Sequence, residues 1–145
     1  MRAWHWITHL GGVRATFVIA ALILVFAERK LGLAVVTALL IATIIVQVLK
    51  RAYGRPRPRD EEGNILARIK LPDPFSFPSG HTAAATAIAT TVCLYKPDLT
   101  PALIPLAALV GASRVALRVH FKGDVLAGAT IGLLSAFLGG VLFLY

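Results

Sequence analysis

Residues 31–49 read LGLAVVTALLIATIIVQVL, nineteen consecutive positions without a charge. As an α-helix this run rises about 28 Å at 1.5 Å per residue, close to the ~30 Å hydrocarbon thickness of a bilayer. A backbone immersed in lipid must satisfy its own hydrogen bonds, which leaves helices as the natural solution for such a run. Similar apolar blocks recur at 13–27, 79–95, 101–119 and 125–145. The chain is 57% apolar and 15% charged, against roughly 45–50% and 25% in soluble domains. The expected fold is therefore all-α, an integral membrane bundle of five spanning helices forming one domain over 1–145. The block at 13–27 is short for a span, which needs about 17–25 residues.

Residues 1–12, MRAWHWITHLGG, stand apart. Trp4 and Trp6 fit the aromatic belt of a membrane interface, so this segment is either an interfacial helix or the start of a longer first span. His5 and His9 share a helix face, but two histidines without a third ligand read as interfacial polar residues rather than a metal site. Cys93, a lone cysteine in an apolar block, reads as a packing residue and excludes an intrachain disulfide. No secretory signal peptide is legible. The net charge of +8 suggests an anionic partner. Because the basic residues flank apolar blocks, phospholipid head groups fit better than nucleic acid.

The connections are unequal. Glu28, Arg29 and Lys30 form one tight turn. Residues 96–100 form another, with Thr100 expected as N-cap and Pro101 at the first helical position. Between the second and third blocks lies a long polar loop, 50–78, of a length that is usually functional. Residues 61–70 within it are expected to form a short surface helix. Pro72, Pro74 and Pro78 hold the remainder extended. Five crossings put the N-terminus, loop 50–78 and loop 120–124 on one side. That side carries 12 of the 15 Lys and Arg residues.

Three stretches on that side carry chemistry. In KRAYGRPRP, Lys50 ends a span and Arg57 follows in the loop, a point charge and a rigid fork suited to phosphate oxygens. In PSGH, Ser79 is a natural N-cap for the third span, Gly80 permits close approach, and His81 sits in the first turn. The unpaired amides of that helix start favour an anion. In SRVALRVHFKGD, Arg114 and Arg118 are one turn apart and share a face if the helix runs to residue 119. An arginine inside a membrane helix costs about 2.5–3.5 kcal/mol unless it is paired or snorkels. Arg118 is near enough to the end to snorkel, whereas Arg114 lies deeper and needs an inward anion. Asp124 is expected to cap the fifth span and to accept a hydrogen bond from His120, fixing its tautomer and leaving the other nitrogen free to attack. No paired carboxylate ligands and no Cys/His cluster accompany these residues. The pattern suggests metal-free attack by histidine on phosphorus.

Together the stretches resemble the signature of the type-2 phosphatidic acid phosphatase family, K-x6-RP, PSGH and SR-x5-H-x3-D, with every defined position matched between Lys50 and Asp124. The resemblance implies a membrane phosphatase with His120 as nucleophile and Asp124 orienting it. His81 would be the general acid and then base. Lys50, Arg57, Ser79, Gly80 and Arg114 would hold the phosphate. It implies no cofactor and no metal. The substrate would be a membrane lipid phosphate: a prenyl diphosphate, phosphatidylglycerophosphate, phosphatidic acid or a lipid A phosphate. Arg118 and Lys122 lie outside the motif and have no assigned role. Family members typically have six spans, so five leaves the N-terminal architecture open.

Phe75 and Phe77 are candidates to touch the lipid chain or to anchor the loop. Gly128, Gly132, Ala136 and Gly140 form a small-residue stripe expected to seat the fifth span within the bundle. Two other readings are a non-catalytic lipid-phosphate-binding protein and, on the shared motif, a vanadate-dependent peroxidase. Charge counting places the site on the cytoplasmic face. The resemblance favours the outer, periplasmic face of a bacterial inner membrane.

Overall fold

Side-chain size decides which helix sits in the middle. In the computed structural model, which describes residues 2–71 and 73–143, the central helix is α4, Gly80–Tyr95, built largely from alanine and threonine. It is surrounded by α2 (Val13–Phe26), α3 (Arg29–Tyr53), α5 (Thr100–Ala116) and α6 (Lys122–Phe143). A short helix α1 (Arg2–Leu10) packs on α5. A single 3-10 turn, Pro97–Leu99, leads into α5. Two apolar clusters fill the bundle, one around Ala20, Leu31, Val35, Leu39 and Ala84, the other around Ala38, Ala42, Val46, Ala83 and Ala87.

The outside of the bundle is apolar. Val18, Leu22 and Val25 of α2, Ile44 and Val48 of α3, and Leu126, Leu134 and Leu138 of α6 all face outward. Arg57, Arg114, His120 and Asp124 are buried. This inversion of a soluble protein identifies a membrane bundle. Arg29–Tyr53, Pro97–Ala116 and Lys122–Phe143 are each long and apolar enough to cross a membrane. The pair α1–α2, bent by 51°, makes a fourth when taken as one broken span. With 16 residues, α4 falls short of that length, so length and composition alone do not establish the expected five crossings. Expected position 145 and Pro72 lie outside the described residues.

The stripe on α6 faces inward as expected. A Cβ at Gly128 would meet the carbonyl oxygen of Ser79, and one at Gly132 that of Ala83. These glycines bring α6 against the backbone carbonyls of α4 and the Cβ atoms of Thr82 and Thr86.

Four local expectations need correction. Residues 61–70 are not helical: the Asp60 carboxylate accepts from the Asn64 amide at 2.7 Å, and Gly63 turns the chain at φ +85°. The turn that Asp60 and Asn64 close, with Gly63 in the left-handed region, interrupts the segment before a helix can start. Thr100 is the first residue of α5 rather than its cap; Leu99 precedes the helix and no side chain caps it. Asp124 lies in the first turn of α6, where its Oδ2 accepts from the Phe121 amide at 2.8 Å, the reach-back half of a capping box. Arg114 and Arg118 do not share a helix face, because α5 ends at Ala116 and Arg118 is exposed at φ +55°.

Replacing Gly132 by valine should cost about 1–3 kcal/mol through overpacking at the α4 seam. Gly123→Ala, whose Cβ meets nothing within 4 Å, should stay within about 0.5 kcal/mol of the parent. Thermal unfolding of both variants in detergent checks the contrast.

Candidate active site

Helix ends converge at one end of the bundle. Ser79 caps α4, its Oγ accepting from the Thr82 amide. Its own amide donates to the Asp124 carbonyl at 2.9 Å. This bond joins the start of α4 to the start of α6. Loop 54–79 is strapped across the same end. The Ser76 amide donates to the Arg55 carbonyl at 2.8 Å, the Arg57 Nη1 donates to the Val119 carbonyl at 3.0 Å, and the Arg68 amide donates to the Leu117 carbonyl at 3.1 Å. Loop 50–78 and the α5–α6 link therefore share one end of the bundle, and Thr8 of α1 reaches the same end through its bond to Arg114.

A cavity of about 120 Å³ opens there, lined by Lys50, Arg57, Gly80, His81, Arg114 and His120. Six of the eight site residues expected from sequence thus meet around one space. The other two, Ser79 and Asp124, are fully buried behind it. Arg118 and Lys122 are exposed and do not line it. Phe77 stacks obliquely on Tyr53, ring centroids 5.1 Å apart. The cavity continues along apolar wall between α2 and α3, past Phe17, Ala42 and Val46.

The cations are held differently from one another. Lys50 Nζ donates to Asp73 Oδ2 at 2.6 Å, and Arg57 Nη2 donates to Asp73 Oδ1 at 3.0 Å. Arg114 is 1% exposed. Its Nη1 donates to Thr8 Oγ1 at 2.5 Å, while its Nε has no partner among the described residues. Burial would raise the Asp73 carboxyl, but the hydrogen bond and charge of Lys50, with Arg57 and the Phe75 amide, hold it below the ordinary carboxylate range.

The expected bond between His120 and Asp124 is not formed. Nδ1 lies 3.6 Å from Oδ2, beyond hydrogen-bond range. Asp124 is engaged elsewhere: Oδ2 by the Phe121 amide, and Oδ1 by Arg55 Nη1 at 2.9 Å. Arg55 in turn covers the Phe121 ring, 4.3 Å from its centroid. Burial lowers the His120 pKa from its ordinary 6.5. Asp124 opposes that shift, and Arg114, Arg57 and Lys50 reinforce it. The imidazole is therefore neutral at pH 7.

A model of the PAP2 superfamily matches residues 31–144. The chain belongs to the PAP2 superfamily. It is 34% identical over 122 residues to an undecaprenyl-diphosphatase of Sulfolobus acidocaldarius, covering 83% of this chain and 59% of that protein. It is 32% identical over 149 residues to phosphatidylglycerophosphatase B of Bacillus subtilis, covering 91% and 70%. The crystal structure of Aquifex aeolicus LpxE superposes with a TM-score of 0.82 at 29% identity, over 94% of this chain and 82% of that one. A transmembrane PAP2-type phosphatidylglycerolphosphate phosphatase from Bacillus subtilis gives 0.75 at 31% identity, over 97% and 75%. The chain therefore spans less than two thirds of the Sulfolobus relative.

Within this PAP2 site, sequence reasoning missed Thr8, Arg55 and Asp73. Asp73 had a local signal, since Asp two residues before Phe75 in a proline-pinned loop forms an Asx turn; the Phe75 amide donates to its Oδ1 at 3.0 Å. Thr8 had none, because its partner Arg114 is 106 residues away. The N-terminal elbow also matters. A Cβ at Gly11 would stand 2.9 Å from the His81 carbonyl oxygen and 3.1 Å from its Cβ, so only glycine lets the chain pass this close to His81.

His120 should titrate below 6.5, and Asp124→Asn should lower its pKa further by removing the one partner that raises it. An NMR titration of 13C-labelled histidine in detergent micelles, assigned with His120→Gln, measures both.

Proposed function

We propose that this chain is a metal-independent lipid phosphate phosphatase working through a phosphohistidine. The observation that carries the proposal is that His81 and His120 line one cavity with three buried cations. Relatives bear names for undecaprenyl diphosphate, phosphatidylglycerophosphate and lipid A 1-phosphate hydrolysis. The substrate here is a membrane lipid ending in a phosphate or diphosphate, its chain lying along the apolar wall between α2 and α3.

His120 Nε2, the nitrogen turned away from Asp124, attacks phosphorus. The N–P bond forms as the bond from phosphorus to the lipid oxygen breaks, and His81 gives that oxygen its proton. Water then attacks phosphorus, His81 takes the water proton, and the N–P bond breaks to release inorganic phosphate. Lys50, Arg57, Arg114 and the Gly80 amide hold the phosphoryl oxygens. Ser79 sets the start of α4, which presents that amide and His81. Asp124 fixes His120 and balances the positive charge that develops on its ring. Phosphate-ester hydrolysis is among the slowest uncatalysed reactions. Fixed cations in a water-poor site supply the stabilisation it needs.

Five crossings, with α1 lying over the site end of the bundle, fit this reading. The proposed location is the inner membrane of a bacterium with the site on its outer face. Lys50, Arg57 and Arg114 are buried around the cavity, so they serve the site and are poor reporters of sidedness. Thiol labelling of Glu62→Cys in a Cys93→Ser background, in intact cells, should succeed from outside; protection there and labelling only after lysis would reverse the assignment.

Purified protein should release phosphate from one or more members of a lipid phosphate panel, and His120→Ala should abolish that release. Equal rates in the two proteins would end the proposal. Asp124→Asn should slow turnover about 10²–10⁴-fold, by analogy with other carboxylate–histidine pairs. Activity should survive EDTA; its loss and restoration by added metal would contradict the metal-free step.

A further inference from the structure

Two of the three cations proposed to bind phosphate already hold an anion. Asp73 bridges Lys50 and Arg57 through its two oxygens, at 2.6 and 3.0 Å. The bridge is braced on both sides: Arg57 Nε donates to the Asp73 carbonyl at 2.9 Å, and the Phe75 amide donates to Oδ1. Just beyond, Ser76 is fully buried, its Oγ donating to the Pro56 carbonyl at 2.9 Å. The carboxylate is therefore a fixed part of the cavity wall.

We infer that Asp73 is a positioning residue that acts through Lys50 and Arg57 to limit how tightly the site retains inorganic phosphate. This inference rests on the phosphatase reading above. Among the lining residues, Lys50, Arg57 and Arg114 face one carboxylate, Asp73. Cancelling one of three fixed positive charges leaves two, which matches a phosphate monoester dianion. In a poorly screened site each extra charge strongly raises anion affinity. Substrate and product make the same cation contacts, but only the substrate has a lipid chain to add binding along the apolar wall. A carboxylate beside the cations weakens both phosphates equally. The substrate recovers the loss through its chain, while the product does not, so the net effect is faster release. An unopposed trio of cations would bind the product as a resident inhibitor.

The test compares wild type with Asp73→Asn and Asp73→Ser, which remove the charge, and with Asp73→Glu, which keeps it. Inhibition of lipid phosphate hydrolysis by inorganic phosphate and by orthovanadate is measured alongside thermal unfolding. Wild type should hydrolyse the lipid and be inhibited competitively. In the Asn and Ser variants the Ki for phosphate should fall about tenfold, with a lower KM and a lower kcat, while Glu stays near wild type. A merely structural role for Asp73 predicts the opposite sign, since misplaced cations bind anions less well. An unchanged or higher Ki in the folded Asn or Ser variant overturns the inference while leaving the phosphatase reading intact. A wild type that neither hydrolyses lipid phosphates nor responds to phosphate overturns both.

Discussion

Three basic side chains inside a membrane bundle need anions, and the architecture around them follows from that need. Arg114, Arg57 and Lys50 are 1%, 3% and 6% exposed. Leaving a buried charge unpaired costs several kcal/mol, so each must find oxygen. Arg57 is satisfied by the Val119 carbonyl and by Asp73, and Lys50 by Asp73. Among the described residues Arg114 finds the Thr8 hydroxyl alone, and its Nε has no partner. That donor is available to the anion proposed above.

The two histidines are brought to this space by different means. His81 rides on the first turn of α4, whose start is fixed by the Ser79 cap. His120 sits in the short link between α5 and α6, behind which Asp124 is clamped by the Phe121 amide and by Arg55. The bond from the Ser79 amide to the Asp124 carbonyl makes these two helix starts a single structure. Arg55 also changes the electrostatic argument. Its charge partly neutralises Asp124, which leaves His120 less inclined to take a proton, as the attack proposed for it requires.

Much of this was legible because its signals are local. A long uncharged run is a helix in lipid, Ser before a helix is a cap, and α2, α3, α4 and α6 start or end within a few residues of the apolar blocks. The motif residues at 50, 57, 79–81, 114, 120 and 124 fall where the blocks end, so one shared end of the bundle could be inferred by parity alone. What was illegible is long-range. Arg55 meets Asp124 across 69 residues and Thr8 meets Arg114 across 106, and no periodicity records such pairs. The expected helix at 61–70 failed for a local reason that propensity hides: Asp60 and Asn64 bond to each other around Gly63 and turn the chain there. The predicted bond from His120 to Asp124 is missed by a small margin: the Phe121 amide and Arg55 hold the carboxylate where Oδ2 stands 3.6 Å from Nδ1.

Where α6 lies on α4, carbonyl oxygens occupy the space that side chains would normally fill. Neither helix can slide or roll against the other without collision. The lipid path proposed above, along the wall formed by Phe17, Ala42 and Val46, lies away from this seam, and α6 contributes no lining residue to it.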